Sequence, residues 1–192
     1  HKVGVSHNPT SNLKLASGFA PVAKLRQAGV ALGIGTDGCA SNNDQDMFEE
    51  MRLTALLPKA TQGDPTLLPA RDAFAMATID GARALHLDHL IGSLEPGKRA
   101  DVVVVGLESP HLTPRFALGA HNIYSHLVYS AKGSDVRDVL VDGRFLMRDR
   151  TLLTINVMEV MAEARKLARQ INDFIEEREH SLLNKLIALG SP

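Results

Sequence analysis

The sequence predicts an α/β fold, and three observations carry that prediction. The apolar run Val30-Ala31-Leu32-Gly33-Ile34 reads as a strand buried on both faces, as in a parallel sheet. Gly35-Thr36-Asp37-Gly38 follows it at once, which sets a carboxylate between glycines at the strand's carboxyl end, where α/β barrels collect their chemistry. Strand-like and helix-like segments then alternate from the start of the chain, a pattern that implies parallel strands joined by helical crossovers.

Composition bounds what such a fold can do. A length of 192 residues allows one good domain or parts of two. With 44% hydrophobic and 22% charged residues, the chain has the make-up of a globular protein and not of a disordered one. Lys plus Arg (21) nearly balance Asp plus Glu (22), so there is no basic footprint for nucleic acid or an anionic membrane. No apolar stretch approaches the roughly 20 residues that span a bilayer. Cys39 is the single cysteine, which rules out an intramolecular disulfide and fits a reducing, cytoplasmic setting. The sequence opens at His1-Lys2-Val3 without an initiator methionine and enters a strand-like segment immediately; the expectation is the C-terminal part of a larger protein.

The elements follow in order. Val3 to Ser6 is a short strand ending in the loop His7 to Asn12, and a helix from Ala20 to Ala28 is stopped by Gly29. The second strand, Val30 to Gly35, leads into a loop from Asp37 to Asp44. Asn43 or Asp44 then caps a helix from Gln45 to Leu57, whose acidic first turn suits the positive helix end. Pro69 opens a helix through Asp72, Phe74 and Met76, and Asp80 to Leu87 forms another. Pro96-Gly97 is turn chemistry, Val102 to Val105 a β-branched strand, and Leu127 to Ser130 a further strand candidate. Val136 to Val141 and Phe145 to Met147 flank Asp142-Gly143, a two-residue hairpin signal. Val157, Val160, Met161, Ala164, Leu167, Ala168, Ile171, Phe174 and Ile175 recur at helical spacing, and such a stripe is read as core packing. The boundaries that result are residues 1–91, 92–153 and 154–192.

Three segments carry a family resemblance: Ser6-His7-Asn8-Pro9-Thr10-Ser11-Asn12-Leu13-Lys14-Leu15-Ala16-Ser17-Gly18, then Gly35-Thr36-Asp37-Gly38-Cys39-Ala40-Ser41-Asn42-Asn43-Asp44, then Gly92 to Asp101. In this order they resemble the C-terminal half of the amidohydrolase superfamily, in its branch of metal-dependent aminohydrolases. The phrase Asp46-Met47-Phe48-Glu49-Glu50-Met51-Arg52 is similar to the members that deaminate 5-methylthioadenosine or S-adenosylhomocysteine. The resemblance implies a (β/α)8 TIM barrel with a small β-sandwich beside it. Val3 to Ser6 would be barrel strand seven and Val30 to Gly35 strand eight. The strands after Gly92 would be this chain's share of the sandwich, followed by the long C-terminal helix.

The resemblance also implies the chemistry. One divalent metal, zinc or iron, lowers the pKa of a bound water from 15.7 to roughly 7. The family's ligands are a His-x-His pair on strand one, a His on strand five and the Asp after strand eight. Only the last maps here, onto Asp37, which takes the metal, catalytic and substrate-facing roles together: it binds metal, accepts the water's proton and relays it to the leaving ammonia. A Zn–O bond of about 2.0–2.2 Å is expected if the metal is zinc. No His-x-His occurs among the eight histidines. His121 with His126, and His86 with His89, read as surface or supporting residues, and His180 lies on the exposed face of the last helix. His7 ends a strand on the same rim as Asp37 and is either a substrate-binding wall residue or a polar residue bonded to nearby backbone. Ser11, Asn12, Ser41 and Asn42 read as groups that tie the loops together. Cys39 stands where an alanine-like residue is expected, as a small buried thiol or as an extra ligand.

Read by residues alone, an Asp between glycines after a strand is also a turn former or helix cap. Two other functions stay open at this point: another deaminase or s-triazine hydrolase of the same branch, and a catalytically incomplete piece with a structural or assembly role. The partners implied are a small nucleoside substrate, the N-terminal part of the same protein and a further copy in a homo-oligomer.

Overall fold

The computed structural model describes residues 3–114 and 121–189, in two units, His1–Arg150 and Thr151–Pro192. In the first unit, β1 (Gly4–His7) pairs in parallel with β2 (Ala31–Ile34), Val5 opposite Leu32 and His7 opposite Ile34. Helices α1 (Pro9–Lys14) and α2 (Val22–Gln27) connect them, and α3 (Cys39–Asn42), α4 (Met47–Gln62), α5 (Ala70–Met76) and α6 (Ile79–Ala84) follow. The fold class is α/β.

Pleating splits the two strands between faces. Val5, His7, Leu32 and Ile34 share one face, where Leu32, 2% exposed, packs with Val22, Leu68 and Met76. Gly4, Ser6, Gly33 and Gly35 share the other. There α6 lies against the strands so closely that a Cβ on Gly4 would sit 1.8 Å from the Ala84 carbonyl oxygen.

The structure lengthens one helix and adds two short ones beside the parallel strands. Asp46, rather than Asn43 or Asp44, caps α4 by accepting the Phe48 N–H at 2.8 Å. The helix continues past Leu57 through Pro58 to Gln62, where Gly63 ends it in the left-handed region at φ 66°. Pro58 is buried in the helix interior; its packing offsets the lost backbone hydrogen bond. Of the segments read as loops, His7 to Asn12 holds the start of α1 and Asp37 to Asp44 holds α3. Proline at the first helical position starts α1, where its missing N–H costs nothing.

The remainder of the first unit is antiparallel. β3 (Val102–Val105) pairs with β4 (Val136–Val141), and β4 with β5 (Arg144–Arg148) through the Asp142-Gly143 turn, both residues at positive φ. Leu127 to Ser130 is not a strand. Helix α7 (His121–Ser125) runs into a π-helical turn, His126–Ser130, with Val128 buried against Ala55 and Ala73 and Arg52 donating to the carbonyls of Tyr129 and Ala131. Burial of one side chain and capture of two carbonyls override the strand propensity of Val and Tyr.

The second unit holds β6 (Thr151–Leu152) and α8 (Val157–Leu189), a single helix of 33 residues. Its stripe was expected in a core; along the helix it is exposed, from Val160 at 56% to Phe174 at 59%. No helix among the described residues is long and apolar enough to cross a membrane.

Candidate active site

Asp37 lies just past the carboxyl end of β2, alongside the end of β1: the Gly35 N–H donates to the His7 carbonyl at 3.0 Å. Its backbone is left-handed, φ 63°, a conformation that non-glycine residues adopt only under constraint from their surroundings. Gly38, which follows it, is extended at φ -91° and caps α3. The side chain is exposed, yet held. Ser11, on α1, donates its hydroxyl to Asp37 Oδ2 at 2.7 Å, and Ser41, on α3, donates to the same oxygen at 2.8 Å. The Ser11 and Ser41 hydroxyls, then the Gly38 backbone N–H, hold the Asp37 carboxyl below the usual carboxylate range. The group is therefore ionised at neutral pH, as both a metal ligand and a proton acceptor must be.

Both serines are buried. They sit at equivalent places, each on the short helix that follows one of the paired strands, so the two loops close on the carboxylate from either side. Gln45 Nε2 donates to the Asp37 carbonyl at 3.1 Å. Cys39 is exposed and its thiol donates to Gln45 Oε1 at 3.2 Å, which corrects the expectation of a buried thiol. On the glycine face of the strands, Ser6 donates to Asn8 Oδ1 at 2.9 Å, and a Cβ on Gly35 would lie 2.5 Å from both side chains. Ser6 and Asn8 thus share the face of Gly35, two residues before Asp37, and period-two alternation along β1 is the sequence signal that puts Ser6 there.

His7 lies on the opposite, apolar face and is 5% exposed. Its ring lines a small cavity with Pro9, Asn12, Val22, Leu57 and Pro58. Neither ring nitrogen has a hydrogen-bond partner among the described residues, and burial pushes its pKa down to about 4. His7 and Asp37 therefore end adjacent strands, but their side chains are not brought together by any hydrogen bond. His86, His89 and His180 are exposed, His126 bonds to the Pro114 carbonyl at 3.1 Å, and the His121 side chain lies outside the described residues. Among the described residues no cluster of three His, Cys, Asp or Glu side chains is arranged to hold a metal. Asp37 offers one hard oxygen donor with ionised charge, which suits a single position of a zinc or iron site.

Comparison with known proteins adds to this geometry. The model of the amidohydrolase family matches residues 1–146. The 5-methylthioadenosine/S-adenosylhomocysteine deaminase of Desulforudis audaxviator (strain MP104C) is 56% identical over 169 residues, covering 88% of this chain and 38% of that protein. The 5'-deoxyadenosine deaminase of Methanosarcina acetivorans is 51% identical over 170 residues, covering 88% and 38%. Among solved structures, an adenosine deaminase from Xanthomonas campestris with bound zinc superposes with a TM-score of 0.82 at 44% identity, over 88% of this chain and 37% of that one. The chain thus spans 38% of the length of the curated relatives it matches.

Proposed function

This chain belongs to the amidohydrolase family, and from that premise we propose that it supplies the metal-binding aspartate of a hydrolytic deaminase acting on an adenosine analogue. The substrates assigned are 5-methylthioadenosine and S-adenosylhomocysteine, after the Desulforudis relative. In this reading β1 and β2 are barrel strands seven and eight within residues 1–91, residues 92–153 are a share of a β-sandwich, and residues 154–192 are a C-terminal helix. The parallel pair and the antiparallel β3-β4-β5 sheet support that division.

The observation that carries the reading is an ionised carboxylate past the end of a parallel strand, held on one oxygen by two serine hydroxyls. Asp37 would hold one divalent ion, assigned as zinc, with imidazole ligands from protein outside this chain. When bound, such an ion supplies a water whose pKa has fallen from 15.7 to roughly 7. With that ion and its water in place, Asp37 would accept the water's proton and deliver it to the amino nitrogen on purine C6, so that as a C6–O bond formed the C6–N bond would break and ammonia would leave. Ser11 and Ser41 keep the carboxylate oriented through both transfers. His7, the other residue assigned to substrate binding, would act indirectly, through its packing in the cavity lined by Pro9 and Asn12.

The test uses a protein of the relatives' full length that carries this segment, followed by ultraviolet absorbance as 5-methylthioadenosine or S-adenosylhomocysteine becomes the inosine analogue. Asp37→Asn keeps the shape but cannot accept the proton, and a drop in turnover of about 10²–10⁴ is expected. Retention of more than about a tenth of wild-type turnover, far above a general-base loss, would make Asp37 a turn residue. Turnover of guanine or a triazine in place of the nucleosides would move the substrate assignment and leave the role of Asp37 intact.

A further inference from the structure

We infer that Glu50, on α4, is the positioning residue that sets both serine hydroxyls on Asp37; the inference rests on the Asp37 reading above. Glu50 is 1% exposed. Its Oε2 accepts the Thr10 backbone N–H at 3.2 Å, and its Oε1 accepts from Asn42 Nδ2 at 2.7 Å. Thr10 immediately precedes Ser11 and Asn42 immediately follows Ser41. One buried carboxylate therefore grips the two short helices α1 and α3 at the residues next to the two hydroxyls that meet on Asp37 Oδ2.

The chemistry of the grip requires a carboxylate. Both groups that reach Glu50 are donors, and an ionised carboxylate is acceptor-only on both oxygens. The Asn42 amide is fixed in the donating orientation because its Oδ1 accepts the Gln45 N–H at 2.9 Å. A glutamine side chain at position 50 would present one oxygen and one NH2, leaving a donor facing a donor. No Lys, Arg or His pairs with Glu50 among the described residues. A buried carboxylate without a countercharge is costly, and it is satisfied here by two hydrogen bonds that fix the loops around Asp37.

The donor and acceptor pattern gives a decisive exchange. Glu50→Gln sets an NH2 against a donor, and Asn42→Asp sets one carboxylate against another. The double variant Glu50→Gln/Asn42→Asp restores a match. In it the new amide on α4 donates its NH2 to the new carboxylate on α3, and its oxygen accepts the Thr10 N–H. That carboxylate's other oxygen still accepts the Gln45 N–H. The measurements are zinc affinity, by competition with a chromophoric chelator, and kcat for 5-methylthioadenosine, in the full-length protein carrying this segment. Each single variant is expected to weaken zinc binding by about 10–100-fold, the range for residues that orient a metal ligand. The double variant is expected to return to within a few-fold of wild type. Single variants that keep wild-type zinc affinity and kcat, or lose only thermal stability, would overturn the inference, as would a double variant no better than the singles. Should a single variant not fold, the double alone decides: near wild-type zinc affinity supports the grip and its loss overturns it. Asp37→Asn in parallel separates the two readings. If it abolishes zinc binding and turnover while the Glu50 variants do not, only the positioning role falls; if it leaves both intact, the Asp37 reading itself falls.

Discussion

Ser11 donates its hydroxyl to Asp37 Oδ2 at 2.7 Å across 26 positions of sequence, joining the loops that leave β1 and β2. Ser41 reaches the same oxygen from four residues away. These bonds stabilise the ionised carboxylate over the protonated form, so they lower its pKa. Removing them should do the reverse. Ser11→Ala and Ser41→Ala are each expected to raise the Asp37 pKa toward the ordinary carboxylate value, and the pair together further. Carboxyl 13C NMR titration of the metal-free protein reads this directly. An unchanged midpoint in the double variant would show that the hydroxyls do not hold the charge.

His7 gives a prediction in stability against pH. Its pKa falls from 6.5 to about 4 because burial disfavours the charged ring. The folded state therefore binds this proton less readily than the unfolded state does. The contribution is fully present above pH 6.5 and is lost as pH falls from 6.5 toward 4, by about 3 kcal/mol in total. Denaturant unfolding at a series of pH values should show this slope in the wild-type protein. His7→Leu should flatten it while holding stability at pH 7 near wild type, since among the described residues neither ring nitrogen has a hydrogen-bond partner to lose.

The strand glycines are not equivalent. A Cβ on Gly4 meets the Ala84 backbone at 1.8 Å, whereas one on Gly35 meets the side-chain oxygens of Ser6 and Asn8 at 2.5 Å. Side-chain ends can swing away; a helix backbone cannot. Gly4→Ala is expected to destabilise by about 1–3 kcal/mol through displacement of α6. Gly35→Ala should cost less than that and act on activity by breaking the Ser6–Asn8 contact. Melting curves of the two variants, set beside their turnover, check the ordering.

The α/β class and the position of Asp37 past β2 were legible because they rest on strong local signals: a buried apolar run that stops at Gly35 and family segments in order; its role as a ligand stays a proposal. The two helices that carry Ser11 and Ser41 were not legible. At six and four residues, they are too short to show a helical period, and their stability comes from contacts such as the Glu50 grip, distant in sequence. The same reason explains the misread segment at 127–130. Its Leu-Val-Tyr run has strand propensity, and only the Ala55–Ala73 cluster and the Arg52 guanidinium reveal why it curls. The stripe on α8 was visible as a pattern, but a pattern names an apolar face and not what lies against it.

Arg52 supplies the last prediction, because it holds that curled segment from α4. Its Nε donates to the Tyr129 carbonyl at 3.1 Å and one terminal nitrogen donates to the Ala131 carbonyl at 2.9 Å. Two carbonyls are thus satisfied by one planar fork, and hydrogen bonds from a charged donor contribute about 1.5–3 kcal/mol. Arg52→Met keeps most of the apolar stem and removes both bonds, so unfolding in urea should show a loss in that range. Arg52→Lys keeps the charge but offers a compact ammonium in place of the fork, and it is expected to recover less than half of the loss. Full recovery by lysine would mean that charge near the carbonyls, and not the fork geometry, holds the turn.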